Sequence, residues 1–249
     1  MTKHPTCIII VSSEKNISLN LYKEKSYAAA IIANKRKETD MKFGRKGTTV
    51  FLDADDTVLE SSKAVIEIIN KRYSINPPKT IKDLKEWNYT CIYPKMTQEE
   101  VEEIYKSQEF FDTVKPDKEF LKVYEELKED FNFVIVTKGT KENLDRKEAF
   151  FVRYFPRMRF IGIEFEPGSN SSFDKSLVDM RGGIQIDDRV DALTGTNASC
   201  KILLKNGRDL AWNTPEPGNT LYIVNCWKEI GAVLRFTVRE PDWYLGGTE

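Results

Sequence analysis

Two carboxylates and a hydroxyl, spaced two residues apart, are the residues best suited to chemistry in this sequence. Asp53 and Asp55 follow the apolar run Thr48–Leu52 (TTVFL), and Thr57 comes two residues later. His4 is the one histidine, so carboxylates, lysines and hydroxyls must carry any acid, base or nucleophilic role. Asp and Thr are also ordinary turn and N-cap residues, so this motif alone leaves a structural explanation open.

Three further polar positions follow in an order that strengthens the catalytic interpretation. Thr137 ends a second apolar run (FNFVIV), Lys175 comes next, and the pair Asp187-Asp188 follows a third run (GIQI). For Lys175 taken alone, a solvated surface lysine is the default interpretation. The joint occurrence of all these groups, at spacings that suit an α/β protein, favours one shared site.

The elements that would position these residues alternate between strands and helices. Apolar runs predict strands at 48–52, 131–136, 159–163, 183–186 and 201–204, and helical spacing predicts helices at 62–73, 117–130 and 141–154. Ser61 or Ser62 is the expected N-cap of the first helix. This alternation predicts an α/β fold with a doubly wound parallel sheet, in which ligands bind outside the carboxyl ends of the strands.

One segment after the first helix does not fit this alternation. Pro77-Pro78 ends the helix, and the following residues are rich in aromatics and hold a capping box at Thr97 and Glu100. We therefore expect a small helical cap at 77–112, inserted into a core made of 47–76 and 113–249. Residues 1–46 form an N-terminal extension to which no role is assigned.

Composition limits the function classes. The chain has 249 residues, 38 Lys plus Arg, 39 Asp plus Glu and a net charge of -1, without a basic run that could track nucleic acid. Four scattered cysteines fit neither a disulfide framework nor a zinc site. No run approaches the length of a membrane span or a signal-peptide core. We expect a soluble cytoplasmic protein with a small-molecule substrate, no nucleic-acid partner and no membrane contact.

The motif set resembles the haloacid dehalogenase (HAD) superfamily, whose members carry DxDx[TV], a strand-end Ser or Thr, a Lys and a strand-end acidic pair. Within it, the chain is similar to the 5'(3')-deoxyribonucleotidases and their bacterial and phage relatives, including phage deoxynucleoside 5'-monophosphatases. This closer similarity rests on Phe110-Phe111 before Pro116, on VIVT, on Asp174-Lys175 and on IDDR followed by Asp191. The resemblance spans residues 48–205 and implies a Rossmann-like, HAD-like core.

The resemblance also implies roles for individual residues. Asp53 would attack phosphorus to form an aspartyl-phosphate, and Asp55, oriented by Thr57, would act as general acid and base. Thr137 and Lys175 would bind the phosphoryl group. Mg²⁺ would be the cofactor, since it prefers oxygen ligands and helps to neutralise the phosphate dianion. Its ligands would be Asp53, the carbonyl of Asp55, and Asp187 or Asp188.

The chain departs from the family pattern at three positions. Asp56 stands where glycine is usual, Phe173 stands where many members have an arginine, and Lys138 follows Thr137 where a serine is common. Lys138 is therefore a further candidate for phosphate or ribose contact. For the base, the candidates are the aromatics Trp87, Phe110 and Phe111, which would either stack on it or close the core of the cap.

The leading hypothesis is magnesium-dependent hydrolysis of (deoxy)nucleoside monophosphates to nucleoside and phosphate. Hydrolysis of another small phosphomonoester or of nucleic-acid 3' ends would use the same residues, and a catalytically silent HAD-fold binding protein is a further alternative. The family often dimerises, so the resemblance admits a homodimer.

Overall fold

Six parallel strands form one sheet in the computed structural model, which describes residues 47–86, 88–165, 173–216, 219 and 221–239. The strand order is β3-β2-β1-β4-β5-β6, so the winding direction reverses between β1 and β4. The strands are β1 (Thr48–Leu52), β2 (Phe131–Gly139), β3 (Arg159–Glu164), β4 (Ile184–Asp187), β5 (Cys200–Leu204) and β6 (Tyr222–Val224). The predicted α/β, doubly wound parallel fold is confirmed.

Seven helices accompany these strands within the described residues. They are α1 (Ser61–Arg72), α2 (Gln98–Lys106), α3 (Gln108–Thr113), α4 (Lys118–Leu127), α5 (Lys141–Tyr154), α6 (Val190–Thr194) and α7 (Trp227–Arg239). The sequence patterns predicted α1, α4 and α5 within a few residues but did not predict β6 or α7. None of the described helices is long and apolar enough to cross a membrane.

The central strands are apolar on both faces because the sheet is buried between other elements. On one face, Val50 and Leu52 of β1 have no exposed surface, and on the other face Phe51 of β1 is 8 % exposed and Val134 of β2 is 2 % exposed. Trp227 of α7 is buried as well, and its indole Nε1 donates to the carbonyl of Thr57 at 2.7 Å. The C-terminal helix therefore supports the loop that follows β1.

Of the two predicted helix starts, one follows the sequence and the other departs from it. Thr97 and Glu100 form the expected capping box at α2. The predicted N-cap of α1 is wrong, because Glu60 occupies that position without a side-chain cap bond. Ser61 and Ser62 are instead the first helical residues, and their hydroxyl groups bond to carboxylates in the preceding loop.

The segment predicted as a cap contains α2, α3 and a short 3-10 turn at Tyr89–Cys91. We call residues 77–112 the inserted segment. It packs on α1 and α5: the rings of Phe111 and Phe150 lie 6.3 Å apart, and Asn143 Nδ2 donates to the carbonyl of Tyr105 at 2.7 Å. The domain boundaries themselves stay a prediction, and residues 1–46 lie outside the described residues.

Candidate active site

Asp53 and Asp187 meet where the winding of the sheet reverses. Leu52 of β1 pairs with Ile186 of β4, and the backbone N–H of Asp53 donates to the carbonyl of Ile186 at 3.0 Å. Asp53 follows β1 and Asp187 ends β4, so both leave the carboxyl edge of the sheet side by side. Together with Asp188 they form the carboxylate cluster, in which one oxygen from each residue lies within 4.8 Å of the others.

Lys175 joins two members of the carboxylate cluster. Its Nζ lies 2.5 Å from Asp53 Oδ1 and 2.7 Å from Asp187 Oδ2, and the lysine is 3 % exposed. Burial alone would lower the pKa of Lys175, but the ion pairs with Asp187 and Asp53 raise it above its ordinary value. The side chain is therefore a permanent cation held against Asp53.

The carboxylate cluster remains short of positive charge. Burial raises the pKa of Asp187 to about 6, although the ion pair with Lys175 opposes this shift. Burial and the neighbouring Asp187 raise the pKa of Asp188 well above its ordinary value, and the bond from Trp212 Nε1 at 3.0 Å opposes this rise. Three carboxylates around one ammonium group suit a hard divalent cation such as Mg²⁺, so the residues fit the implied metal.

Asp55 is held by two side chains on its other side. Ser61 Oγ donates to Asp55 Oδ1 at 2.6 Å, and Lys147 Nζ lies 2.5 Å from Asp55 Oδ2. The same ammonium group is 3.2 Å from Thr137 Oγ1, so it links the ends of β1 and β2. We call Asp55 and Lys147 the acid pair. Its geometry suits a carboxyl group that must keep one orientation while it transfers a proton.

Lys147 was not among the site residues predicted from the sequence. The lysine is only 1 % exposed and lies on the buried face of α5, with Leu144 and Phe151 three and four residues away. A lysine inside an apolar stripe at helical spacing is unusual unless it has a partner, and this signal was available in the sequence.

The other residues predicted to contact phosphate have different surroundings in the structure. Thr137 is buried at the same edge as Asp55, as expected. Thr57 does not bond to Asp55: its Oγ1 is buried and forms no hydrogen bond within the described residues, and Ser61 occupies the orienting position instead. Lys138 lies near Asp174. The hydrogen bonds from Ser176 and the charge of Lys138 both lower the pKa of the Asp174 carboxyl.

The aromatic candidates for base stacking are buried or outside the described residues. Trp87 belongs to the latter group. Phe110 has no exposed surface and lies against Tyr105 and Phe111, and Phe111 is 9 % exposed. Both phenylalanines therefore pack the inserted segment in this structure, which is the alternative role that the sequence analysis left open. Tyr89 and Tyr105 are the rings of this segment whose surroundings include Asp55.

Solved structures of HAD hydrolases are among those to which the chain is similar. A haloacid dehalogenase-like hydrolase from Streptococcus pneumoniae is 17 % identical, with a TM-score of 0.46 over 74 % of this chain and 97 % of that one. A subfamily IA HAD hydrolase from Geobacter sulfurreducens is 13 % identical, with a TM-score of 0.48 over 78 % and 99 % of the two chains. A comparison with curated protein sequences gives no match.

A family model gives a match over most of the chain. The family is described as "5' nucleotidase, deoxy (Pyrimidine), cytosolic type C protein", and the match covers residues 47–234. This range contains the carboxylate cluster, the acid pair and Lys175, and it leaves out the N-terminal extension. The closer resemblance inferred from the motifs is thereby confirmed: the chain belongs to this nucleotidase family and is a phosphoric monoester hydrolase.

Proposed function

We propose that this protein hydrolyses (deoxy)nucleoside monophosphates to nucleoside and phosphate with Mg²⁺, through an aspartyl-phosphate on Asp53. The observation that carries the proposal is the contact of Lys175 with both Asp53 and Asp187, beside Asp188. This arrangement holds a carboxylate nucleophile next to a cation that can also pair with a phosphoryl group. The nucleotide substrate is taken from the family to which the chain belongs.

The reaction has two steps. An Asp53 oxygen forms a bond to phosphorus while the bond from phosphorus to the ester oxygen breaks, and Asp55 gives its proton to the departing oxygen. Asp55 then takes a proton from water, whose oxygen attacks phosphorus and breaks the bond to Asp53, so that phosphate leaves. Mg²⁺, held by the carboxylate cluster, would supply positive charge to the phosphate oxygens.

Residues around the two carboxylates would keep the reacting groups in line. Lys175 neutralises charge on the phosphoryl group and restrains Asp53. Lys147 fixes the direction of Asp55 and also donates to the Thr137 hydroxyl. These contacts preorganise the site before substrate binds, so the protein reorganises little during the reaction.

The experiment is phosphate release from deoxy- and ribonucleoside 5'- and 3'-monophosphates, a sugar phosphate and an aryl phosphate, with Mg²⁺ or with EDTA. Asp53→Asn keeps the side-chain volume and removes the nucleophile, so we expect turnover to fall by about 10³-fold or more. Asp145→Asn is the matched control, because Asp145 is an exposed carboxylate paired with Lys141 on α5.

The outcomes separate the candidate functions. Metal-dependent release from nucleotides that is lost in Asp53→Asn supports the proposal and ranks the substrates. Activity on sugar or aryl phosphates alone keeps the mechanism and rejects the nucleotide substrate. Substantial turnover in Asp53→Asn would overturn the aspartyl-phosphate mechanism. Salt-sensitive binding of oligonucleotides would favour action on nucleic-acid 3' ends, and a silent wild type would favour a binding protein.

A further inference from the structure

Asp56 occupies an unusual backbone position directly after the catalytic candidate Asp55. Its φ angle is +52°, in the left-handed region that favours glycine, yet the residue carries a side chain and is 7 % exposed. A glycine would fit this turn without a buried charge. The side chain therefore needs an explanation from its contacts.

Those contacts join Asp56 to two other elements. The backbone N–H of Ser62, in the first turn of α1, donates to Asp56 Oδ1 at 2.8 Å, and the Ser62 hydroxyl donates to Oδ2. From the loop after β5, Asn206 Nδ2 donates to the Asp56 carbonyl at 2.5 Å, and Arg208 Nη2 lies 3.7 Å from Oδ2. Asp56 thus fixes the catalytic loop to α1 through its carboxylate, and to the loop after β5 through both its carbonyl and its carboxylate.

A line of hydroxyl groups continues from Asp56 into the inserted segment. Tyr89 Oη donates to Ser62 Oγ at 2.9 Å, and Tyr105 Oη lies 2.9 Å from Tyr89 Oη. Because Tyr89 has one hydroxyl proton and gives it to Ser62, Tyr105 must be the donor to Tyr89. Burial raises the pKa of both tyrosines above the ordinary value, so both stay neutral donors. We call Asp56, Ser62, Tyr89 and Tyr105 the hydroxyl chain.

The hydroxyl chain runs beside the groups that hold Asp55. Ser62 adjoins Ser61, which donates to Asp55. The carbonyl of Tyr105 accepts from Asn143 on α5, the helix that also carries Lys147. The inserted segment is therefore tied to the two helices that fix the acid pair.

We propose that Asp56 is a positioning residue for substrate binding: through Ser62 it fixes Tyr89 and Tyr105, and with them the inserted segment, against the loop that carries Asp53 and Asp55. The inference rests on the proposed function, since nucleotide affinity is one of its readouts. Loss of the hydroxyl chain lowers the fraction of molecules whose inserted segment is in the binding position. KM then rises while the chemical step is unaffected.

The test compares two tyrosines of the inserted segment that both bond to α1. Tyr89→Phe removes a hydroxyl from the hydroxyl chain, whereas Tyr93→Phe removes one that bonds to Asn70 Oδ1 at 2.9 Å, away from Asp56. For Tyr89→Phe we expect KM for the nucleotide to rise about fivefold, with kcat within about twofold, as loss of one buried hydrogen bond predicts. Adding Ser62→Ala should raise KM little further, since both changes break the same chain.

Hydrogen exchange of residues 88–106 provides a readout that needs no activity. Exchange should accelerate in Tyr89→Phe and Ser62→Ala but not in Tyr93→Phe. If wild type hydrolyses no nucleotide, the proposed function fails while exchange still decides whether the hydroxyl chain fixes the segment. Equal exchange in Tyr89→Phe and Tyr93→Phe, or a lower Tm with unchanged KM in Tyr89→Phe, would overturn the inference.

Asp56 itself provides the second variant. Asp56→Gly suits a φ of +52°, so it removes the carboxylate without adding backbone strain. We expect KM to rise by about as much as in Ser62→Ala, whereas Asp56→Asn, which keeps one acceptor oxygen for Ser62, should raise KM less. Wild-type KM in Asp56→Gly would show that the carboxylate positions nothing.

Discussion

The carboxylate cluster and the acid pair are the two halves of the candidate active site. They differ in their balance of charge and in the strands and helices that supply their residues. In the carboxylate cluster, Lys175 pairs with Asp53 and Asp187, and Asp188 lies beside them, whereas the acid pair matches one carboxylate with one ammonium group. The cluster comes from the ends of adjacent parallel strands, and the pair joins a strand end to a helix. The carboxylate cluster can therefore accept a further cation, whereas the charges of the acid pair already balance.

The difference indicates a division of labour. A half that is short of positive charge gains most when the metal binds, because the metal supplies that charge and also offsets the negative charge of the phosphate. A half that is balanced beforehand can hold one carboxyl group in a fixed direction throughout the reaction. Removing a charged residue should therefore have a larger effect in the cluster than in the pair.

Lys175→Ala should have the largest effect of the lysine variants. The change leaves Asp53 and Asp187 without their ammonium group and removes the cation that would meet the phosphoryl oxygens. We expect kcat/KM to fall by about 10³-fold. Steady-state phosphate release measures this, circular dichroism checks the fold, and the exposed Lys141→Ala on α5 is the matched control. Wild-type rates in Lys175→Ala would show that another lysine binds the phosphoryl group.

Lys147→Met should have a smaller effect that depends on the leaving group. Methionine fills the buried space on α5 but cannot hold Asp55, so we expect kcat for a nucleotide to fall about 10- to 100-fold. An aryl phosphate needs little proton donation, and its kcat should fall much less. Equal losses on both substrates would show that Lys147 supports the fold or the phosphoryl group rather than the acid.

The pH dependence of stability without metal tests the charge shortage of the cluster. Burial raises the pKa of folded Asp187 to about 6, against an ordinary value of 3.8, and raises that of Asp188 as well. Because the folded state binds protons more tightly than the unfolded state, this contribution is complete below 3.8 and is lost as pH rises through about 6. In EDTA, stability should therefore increase by about 1–3 kcal/mol as pH falls from about 7 to 5.

Denaturant unfolding at several pH values measures this trend, and Asp188→Asn is the matched variant. The asparagine removes one buried charge, so the variant without metal should be more stable than wild type near neutral pH and should depend less on pH. Added Mg²⁺ should stabilise wild type more than Asp188→Asn. Identical pH profiles for the two proteins would contradict a shortage of positive charge in the cluster.

The sequence predicted the carboxylate cluster far better than the acid pair. Asp53, Asp187 and Asp188 directly follow apolar runs, and parallel strands bring their carboxyl ends to one edge, so strand pattern alone places them together. Lys147 lies ten residues beyond Thr137 on a helix, and its partner is fixed only when α5 packs on the sheet. Local pattern does not determine that packing.

The same reasoning explains the other differences. Ser61 and Ser62 follow a charged residue before a helical pattern, which favours N-capping, but Asp55 and Asp56 compete for their hydroxyl groups in the folded chain. Asp56 was recognised as a departure from glycine, but its partner Arg208 comes from the distant loop after β5. Hydrogen bonds between distant parts of the chain thus fix these side chains, and local propensity does not predict such bonds.

Ser61→Ala is the smallest change to the acid pair and the sharpest test of how Asp55 is held. The hydroxyl donates to Asp55 Oδ1 at 2.6 Å, while Lys147 retains Oδ2 at 2.5 Å. A hydroxyl donor should matter less than an ammonium group, which also brings a full positive charge to the carboxylate, so we expect kcat to fall only about two- to fivefold. Measured on the same nucleotide, a loss as large as that of Lys147→Met would mean that α1, rather than α5, sets the direction of the acid. The balance of charge would then not explain how Asp55 is held, because a neutral hydroxyl would be as important as the ammonium group.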